Sequence, residues 1–228
     1  MDTINADQLK ARLIDYLIES AGKANLLVGS EIMYGSENRF VDILALYSKK
    51  TVAFEIKSDL DDLERLKLQL QQYSEVFDYT YVLTTSKHYK KVLSMINQNT
   101  GVYMYKDGVI KIIKEAQQNR RNKKASILDS INTSSLMDYF YIPQHIKYAD
   151  RIRGYIKTYN DLKKIKSIYR QYLRNKLYEN HNLFIMERGN FTVSDDLPIL
   201  SLYGKNVSDF KSSHLLSNKN THSDRYPK

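Results

Sequence analysis

The chain has 228 residues, enough for one large domain or for a core domain with a small appendage. It contains no Cys, which excludes disulfides and thiolate metal sites, and no apolar run approaches the roughly 20 residues that span a bilayer. The net charge of +9 is unevenly placed, because residues 111–181 carry +10 whereas residues 1–110 carry −2. Such a segment is typical of proteins that contact polyanions, and a solvated Lys-rich surface is the alternative interpretation.

The N-terminal part of the chain predicts one helix followed by three strands. Apolar residues recur at helical spacing over residues 6–21. A short strand is predicted at Leu26-Leu27-Val28, within residues 25–33, and further strands over 39–47 and 51–57, from apolar and β-branched runs bounded by turn residues. The connection Ser48-Lys49-Lys50 is short, so the last two strands are predicted to form an antiparallel hairpin.

Two of these strands carry charged residues in apolar surroundings. Asp42 interrupts the second strand, while Glu55 and Lys57 share one face of the third, because successive strand side chains point to opposite faces. A carboxylate in such a setting is costly unless hydrogen bonds or a cation satisfy it. Because the hairpin can bring these three groups together, they are candidates for a functional site. Glu31, near the end of the first strand, is by itself an ordinary solvated acid.

The next helix is predicted to follow a cap at Ser58-Asp59, with Asp62 supporting its first turn, and to end near Phe77. Gln69 and Tyr73 lie four residues apart and therefore share one helix face. We expect both side chains to line the same site, whereas the alternative treats Gln69 as one of several interchangeable glutamines. The predicted buried stripe of this helix consists of Leu63, Leu66, Leu70, Tyr73 and Phe77.

The remaining core elements alternate between strands and one short helix. A strand over residues 79–84 and a helix over 87–97 precede strands over 101–105 and 109–113. The turn Lys106-Asp107-Gly108 predicts a hairpin between the last two strands. The strand–helix–strand order predicts a right-handed crossover to a parallel neighbour.

The pattern as a whole predicts an α/β fold in four segments. A core with a central mixed sheet flanked by helices is expected over residues 1–114. A basic connector over 115–126 leads to a basic, mostly helical C-terminal region over 127–203, and a polar, flexible tail is expected over 204–228.

Helices in the C-terminal region are expected over residues 134–140, 145–158 and 160–179, followed by a short strand or extended return over 183–202. Basic side chains neutralise phosphates and aromatic rings can stack on unpaired bases, although most of the tyrosines here are expected in the apolar seam of a helical bundle. The predicted nucleic-acid contacts are Arg39, Lys147, Arg151, Arg153, Lys163, Lys164, Lys166, Arg170 and Arg174.

The ordered set of Asp42, Glu55-Ile56-Lys57, Gln69 and Tyr73 resembles the PD-(D/E)XK nuclease superfamily. More narrowly, the chain is similar to a family of small, mostly uncharacterised bacterial and phage restriction-endonuclease-like proteins. The resemblance covers about residues 10–106, and Val41 stands where that family usually has Pro. The matching motifs are Arg39-Phe40-Val41-Asp42, Glu55-Ile56-Lys57-Ser58-Asp59, Arg65-Leu66, Gln69-Leu70-Gln71-Gln72-Tyr73, Phe77-Asp78, Tyr81-Val82-Leu83 and a further Glu at Glu31.

This resemblance implies a restriction-endonuclease-like fold and a Mg²⁺-dependent nuclease, with Mn²⁺ as a substitute, that hydrolyses phosphodiester bonds. It implies metal ligation by Glu31, Asp42 and Glu55. Carboxylate oxygens hold Mg²⁺, which lowers the pKa of bound water, and Lys57 orients that water or stabilises the developing negative charge. The implied catalytic residues are Asp42, Glu55, Lys57, Gln69 and Tyr73.

DNA is favoured over RNA as the partner, no membrane partner is predicted, and a homodimer is left open. A second hypothesis is a nucleic-acid-binding or regulatory protein, for example in phage defence or counter-defence, that keeps the fold without cleavage. In a third, residues 127–180 bind a protein partner. The N-terminus has no basic stretch followed by an apolar one, so we predict no secretory signal and a cytoplasmic location. The spacing of the His residues predicts no zinc site.

Overall fold

A computed structural model describes residues 3–21, 26–36 and 39–202, so the tail predicted over 204–228 lies outside the described residues. The described strands form one six-stranded sheet in chain order. Antiparallel pairing joins the first three strands and the last two, whereas the third, fourth and fifth strands are parallel, which confirms the predicted mixed sheet. The strands are β1 (Leu26–Tyr34), β2 (Arg39–Tyr47), β3 (Thr51–Lys57), β4 (Tyr79–Thr85), β5 (Gly101–Lys106) and β6 (Val109–Lys114).

Helices cover both faces of this sheet. Ser194–Asp196 form a short 3₁₀ turn ahead of the last helix. The helices are α1 (Ala6–Ala21), α2 (Leu66–Val76), α3 (Tyr89–Met95), α4 (Lys124–Asp129), α5 (Thr133–Tyr139), α6 (Ala149–Tyr159), α7 (Leu162–Glu187) and α8 (Leu197–Leu200).

The alternation of side chains along β3 divides the core between the two sheet faces. Phe54 and Ile56 pack with apolar residues of α1 and α8. Ala53 faces the opposite side, where apolar residues of α2 and of α4 to α7 form the larger cluster. Because Glu55 and Lys57 share the face of Ala53, they point toward α2.

Side chains of the C-terminal helices belong to the same apolar cluster as the sheet. Ile127 of α4, Ile156 of α6 and Leu173 of α7 are buried together with Leu44 of β2 and Val82 of β4. Helix α7 therefore packs directly on strands of the sheet, while α4 packs against α2 and α7, and α6 packs against α4. The predicted segment boundaries themselves stay a prediction.

One prediction for the second helix is wrong. Helix α2 begins at Leu66, and its first flanking residue, Arg65, makes no side-chain cap. The expected cap at Ser58-Asp59 instead closes a local turn, in which Ser58 donates from its backbone N at 2.8 Å and its Oγ at 2.5 Å to Asp61 Oδ2. Ser and Asp satisfy turns as readily as helix ends, so the pattern alone did not separate the two. The predicted buried stripe, in contrast, is buried throughout.

The extended return predicted over residues 183–202 is also wrong. Helix α7 continues to Glu187, and the segment then forms α8 and a single β-bridge from Ser201 to β1. Buried positions continue at helical spacing through His181 and Phe184, and His181 Nδ1 accepts a hydrogen bond from Val28 N at 3.2 Å. Contacts with β1 and α8 therefore extend α7 beyond its predicted end.

Candidate active site

The candidate site begins where β2 and β3 stop pairing. Their ladder ends at the pair Ile43 and Phe54. At the next position, Asp42 Oδ2 accepts a hydrogen bond from Ile56 N at 2.7 Å. A side chain has thus replaced the backbone partner that Ile56 would have in a continued ladder. This arrangement holds the Asp42 carboxylate at the opening between the two strands.

The other predicted catalytic residues form a connected polar chain beside Asp42. Lys57 Nζ lies 2.9 Å from Glu55 Oε1 and donates to Gln69 Oε1 at 3.2 Å. Tyr73 donates its hydroxyl hydrogen to Glu55 Oε2 at 2.6 Å. Glu55, Lys57 and Tyr73 are buried. The structure therefore brings together Asp42 from β2, two residues from β3 and two from α2.

Tyr73 is held as a hydrogen-bond donor. Its hydroxyl also lies 3.2 Å from the backbone O of Phe40, and the single hydroxyl hydrogen favours the shorter contact with Glu55. Burial, followed by the charges of Glu55 and Asp42, raises the pKa of Tyr73 well above its usual value. Tyr73 therefore stays protonated and fixes one oxygen of Glu55.

Asp42 is poised between its two protonation states. Burial raises its pKa from 3.8 to about 7, and the charge of Glu55 adds to that rise, against the opposing effects of the Ile56 N–H, Lys10 and Lys57. Asp42 Oδ1 has no hydrogen-bond partner among the described residues. One oxygen of this carboxylate is therefore held by the backbone, and the other is available to a ligand.

Lys10 of α1 is a charged neighbour of the site that sequence reasoning missed. It is buried, with Nζ 2.6 Å from Glu31 Oε1 and 3.3 Å from Asp7 Oδ1. Burial lowers the pKa of Lys10, but the hydrogen bond and charge of Glu31, together with Asp42 and Asp7, outweigh it and raise the pKa overall. Lys10 therefore stays protonated and adds a positive charge beside Asp42.

A signal for Lys10 was present in the sequence. Lys10 lies on the same helix face as Leu13, Ile14 and Leu17, which are all buried. A Lys on an apolar helix stripe requires a partner, because an unpaired buried ammonium is costly. Its partner Glu31 lies on β1, and no local pattern predicts that pairing.

Glu31 has an unusual backbone. Its φ of 53° lies in the left-handed region that favours Gly, although the residue sits within β1. The ladder pairs Ser30 with Ile43 and Ile32 with Val41 on either side of it. Glu31 is therefore opposite Asp42 on the neighbouring strand, and its half-exposed side chain turns toward Lys10.

The predicted ligand set is assembled only in part. Across residues 3–21, 26–36 and 39–202, no group of three or more His, Cys, Asp or Glu could hold a metal ion. Glu31 is paired with Lys10, whereas Asp42 and Glu55 are close enough for the charge of one to raise the pKa of the other. Two neighbouring carboxylates with a free oxygen on Asp42 suit a hard divalent cation chemically.

The nine predicted nucleic-acid contacts fall into two groups. In the first group, Arg153, Lys166 and Arg170 form hydrogen bonds or ion pairs within the chain. Arg39, half-buried at the start of β2, is the fourth member and also interacts within the chain. Arg153 donates to the backbone O of Leu128 at 3.3 Å and of Ile131 at 3.0 Å. The exposed members are Lys147, Arg151, Lys163, Lys164 and Arg174.

The two other internal contacts meet a second buried carboxylate, Asp78, which lies just before β4. Lys166 Nζ is 2.5 Å from Asp78 Oδ1, and Arg170 Nη1 is 3.8 Å from Oδ2. Thr51 donates to Oδ2 from its backbone N at 3.0 Å and from its Oγ1 at 3.1 Å. This network ties α7 to the start of β3, at the end of the strand away from Glu55.

Comparison with known proteins relates the chain to a phage family. A family model described as Bacteriophage P4 protein cII matches residues 1–201. A protein of Enterobacteria phage P4 described as Protein cII is 24% identical over 211 residues, which cover 88% of this chain and 79% of that protein. These matches support the predicted phage association.

One similar solved structure is the SPO1766 protein of unknown function from Silicibacter pomeroyi. Its TM-score is 0.41 and its sequence identity 18%, over 56% of this chain and 84% of that chain. A likeness at that level carries no argument about fold or function. None of the helices in the described ranges combines the length and apolarity needed to cross a membrane.

Proposed function

We propose that this chain, which belongs to the bacteriophage P4 protein cII family, is a divalent-metal-dependent nuclease acting on DNA, with a restriction-endonuclease-like fold of the PD-(D/E)XK type. One observation supports the proposal above all others. Asp42 accepts the Ile56 N–H at 2.7 Å where β2 and β3 part, directly beside the paired Glu55 and Lys57. Metal-dependent phosphodiester hydrolysis can use such an arrangement, in which carboxylate oxygens hold the ion and a cationic side chain stabilises the developing negative charge.

In this proposal Asp42 and Glu55 hold one Mg²⁺ or Mn²⁺ ion. When bound, such an ion would supply Lewis-acid chemistry, polarising the scissile phosphate and lowering the pKa of a water molecule. Burial and the charge of Glu55 raise the pKa of Asp42 to about 7, so this carboxyl group would lose its proton on holding the ion. Tyr73 and Lys57 fix the orientation of Glu55 through hydrogen bonds to its two oxygens.

Lys57 supplies the positive charge of the reaction. Its ammonium group is held between Glu55 and Gln69, so little reorganisation is needed when negative charge develops on the phosphate. The exposed basic residues of α6 and α7 supply positive charge for binding the phosphate backbone of the DNA.

The proposal is tested by incubating the purified chain with plasmid DNA, single-stranded DNA and RNA, with Mg²⁺, with Mn²⁺ and with a chelator. We expect metal-dependent cleavage of DNA, and a loss of about 100-fold or more in Asp42→Ala and Lys57→Ala, because each removes a group that acts on the transition state. Asp195→Asn, at an exposed position far along the chain, is the matched control and keeps full activity. A wild-type chain that cleaves none of these substrates with either metal contradicts the proposal.

A second candidate is a nucleic-acid-binding protein on the same fold that does not cleave. It is favoured by the internal pairing of the acids, since Glu55 is engaged by Lys57 and Tyr73, and Glu31 by Lys10. Calorimetric titration with Mn²⁺ separates the candidates. Binding that disappears in Asp42→Ala supports the nuclease, whereas DNA binding without metal binding or cleavage supports the second candidate.

A further inference from the structure

Two tyrosines of α7 are buried, whereas the tyrosines at the two ends of α6 are exposed. Tyr169 and Tyr172 of α7 are only 2% and 7% exposed and belong to the core cluster. Tyr148, which flanks α6, and Tyr159, which ends it, are 69% and 71% exposed. Tyr169 and Tyr172 therefore contribute to packing, as expected for a helical seam, whereas Tyr148 and Tyr159 contribute little to the core.

The two exposed rings form one stripe with the exposed Arg151 and the half-buried Tyr155. Tyr148, Arg151, Tyr155 and Tyr159 follow each other at spacings of three and four residues, so they lie along one side of α6. The Tyr155 and Tyr159 ring centroids are 4.6 Å apart, with 43° between the ring planes. The Arg151 guanidinium lies 5.5 Å from the centroid of the Tyr148 ring. We refer to these four residues as the α6 stripe.

Helix α6 is anchored without the exposed rings. Ile152 and Ile156 are fully buried and attach it to the core cluster. Arg153 holds it to the last residue of α4 through an ion pair with Asp129 at 3.3 Å. Exposed aromatic rings are common singly, but rings that line up on one side of a helix and are not needed for packing suggest a surface that binds a partner.

The charge around the α6 stripe selects the kind of partner. Lys147, Arg151 and Lys157 are exposed on or next to this helix, in the segment whose net charge is +10. Such a surface complements a polyanion, and tyrosine rings stack on bases whose faces are accessible. Base faces are covered by neighbouring bases in a duplex but can be reached in an unpaired strand.

We propose that the α6 stripe binds an unpaired DNA strand, with tyrosines stacked on bases and Arg151 and its basic neighbours on phosphates. The choice of DNA rests on the proposed function, whereas the preference for an unpaired strand rests on the exposed rings alone. The stripe then holds single-stranded DNA, or the unpaired part of a branched or partly melted substrate, for the site on β2 and β3.

The test measures binding separately from cleavage. The full chain carrying Asp42→Asn is titrated without metal against a labelled single-stranded DNA, the duplex of the same sequence and the corresponding single-stranded RNA, at several salt concentrations. We expect the single-stranded DNA to bind tightest. Tyr148→Ala and Tyr159→Ala each weaken that binding about tenfold, the loss of one stacked base, while the Tyr→Phe variants retain it.

Salt dependence distinguishes stacking from charge. The Tyr→Ala variants keep the salt dependence of the parent, because they remove no charge, whereas Arg151→Gln lowers the slope of log K against log salt by about one. Tyr178→Ala is the matched control, since Tyr178 is 56% exposed on α7 outside the stripe, and it leaves binding unchanged. Circular dichroism verifies that each variant is folded.

Equal affinity for duplex and single strand, or unchanged binding in both Tyr→Ala variants, overturns the proposal. Tighter binding of RNA than of DNA contradicts the assignment of DNA as the ligand. No binding to any nucleic acid contradicts the proposal that the α6 stripe is a nucleic-acid-binding surface. If the wild-type chain shows no metal-dependent cleavage while the Tyr→Ala variants still weaken single-strand binding, the nuclease fails and the α6 stripe stands.

Discussion

Two carboxylate sites lie at opposite ends of β3, a buried one at Asp78 and a half-buried one at Asp42, and their surroundings differ. At the start of the strand, Asp78 accepts two hydrogen bonds from Thr51 and pairs with Lys166, so both of its oxygens are engaged. At the far end, Asp42 accepts one hydrogen bond from Ile56, and its second oxygen has no hydrogen-bond partner among the described residues. The protein compensates the desolvation of the first carboxylate more completely than that of the second.

This difference separates a carboxylate that supports the fold from one that remains available for chemistry. A buried charge is tolerated when fixed partners satisfy it, and removing such a partner is strongly destabilising. A carboxylate without that compensation takes up a proton or a cation instead. The seven residues of β3 separate the two sites by roughly 20 Å, so variants at one site should act independently of the other.

The largest effect is expected at the fully paired end. Asp78→Ala leaves the Lys166 ammonium without its main partner and removes the acceptor for Thr51, so we expect the free energy of unfolding to fall by about 3–5 kcal/mol in urea denaturation. The matched Asp42→Ala should lose less than about 1 kcal/mol at pH 8, because it removes one backbone contact and relieves repulsion with Glu55. Equal losses in the two variants would contradict the comparison.

The pH dependence of stability should carry the signature of Asp42. The folded chain retains a proton on Asp42 up to about pH 7, whereas the unfolded chain releases it near pH 4. Stability contributed by this group is therefore present at acid pH and is lost as the pH rises from about 4 to 7. After allowance for partial exposure, Asp42→Asn should gain about 2–3 kcal/mol on the wild type between pH 4 and pH 8. Urea denaturation across that range measures the difference, and parallel curves would refute it.

Tyr73→Phe tests how far the Tyr73 hydroxyl offsets the cost of burying the Glu55 carboxylate. The change removes the hydroxyl that donates at 2.6 Å to a buried carboxylate, so we expect a loss of about 1–2 kcal/mol in the free energy of unfolding. Tyr103→Phe is the control, because Tyr103 is similarly buried and its hydroxyl has no hydrogen bond within the described ranges. The control should stay within about 0.5 kcal/mol of the wild type. A similar loss in both variants would assign the effect to packing.

The smallest effect on stability is expected for Lys10→Met, which keeps most of the apolar stem and removes the ion pair with the half-exposed Glu31. We expect a loss of about 1 kcal/mol or less. Because the charge of Lys10 lowers the pKa of Asp42, the variant should raise that pKa further, as followed by NMR titration of the carboxyl carbon. Lys67→Met, on the exposed side of α2, should leave the Asp42 titration unchanged. An unshifted Asp42 in Lys10→Met would show that the two groups are not coupled.

The sequence predicted the neighbours of Glu55 better than those of Asp78. The apolar runs gave the bounds of β2 and β3, and helical spacing placed Gln69 and Tyr73 on one face, which here contacts Glu55 and Lys57. These relations depend on local periodicity, which a single sequence displays directly.

Relations between distant segments were not predictable in this way. Lys166 was expected on the surface because its segment is basic, yet it pairs with Asp78, and Lys10 is paired with Glu31 across two elements. A charged residue that meets an internal partner has the same sequence pattern as one that faces solvent. The prediction of a helix cap at Ser58 was wrong for a related reason, because one side chain can satisfy either a turn or a helix start.

The apolar cluster that joins the sheet to α4 through α7 also bears on how the chain is made. A ribosome delivers the sheet first, since β6 ends at Lys114 and α7 ends only at Glu187. The sheet face that carries Leu44 and Val82 therefore emerges with α2 but before α4 to α7, which complete its cover. During synthesis this face exposes apolar surface that favours aggregation until a chaperone binds it or the later helices pack on it. The apolar cluster of this sheet is therefore complete only after nearly the whole described chain has been synthesised.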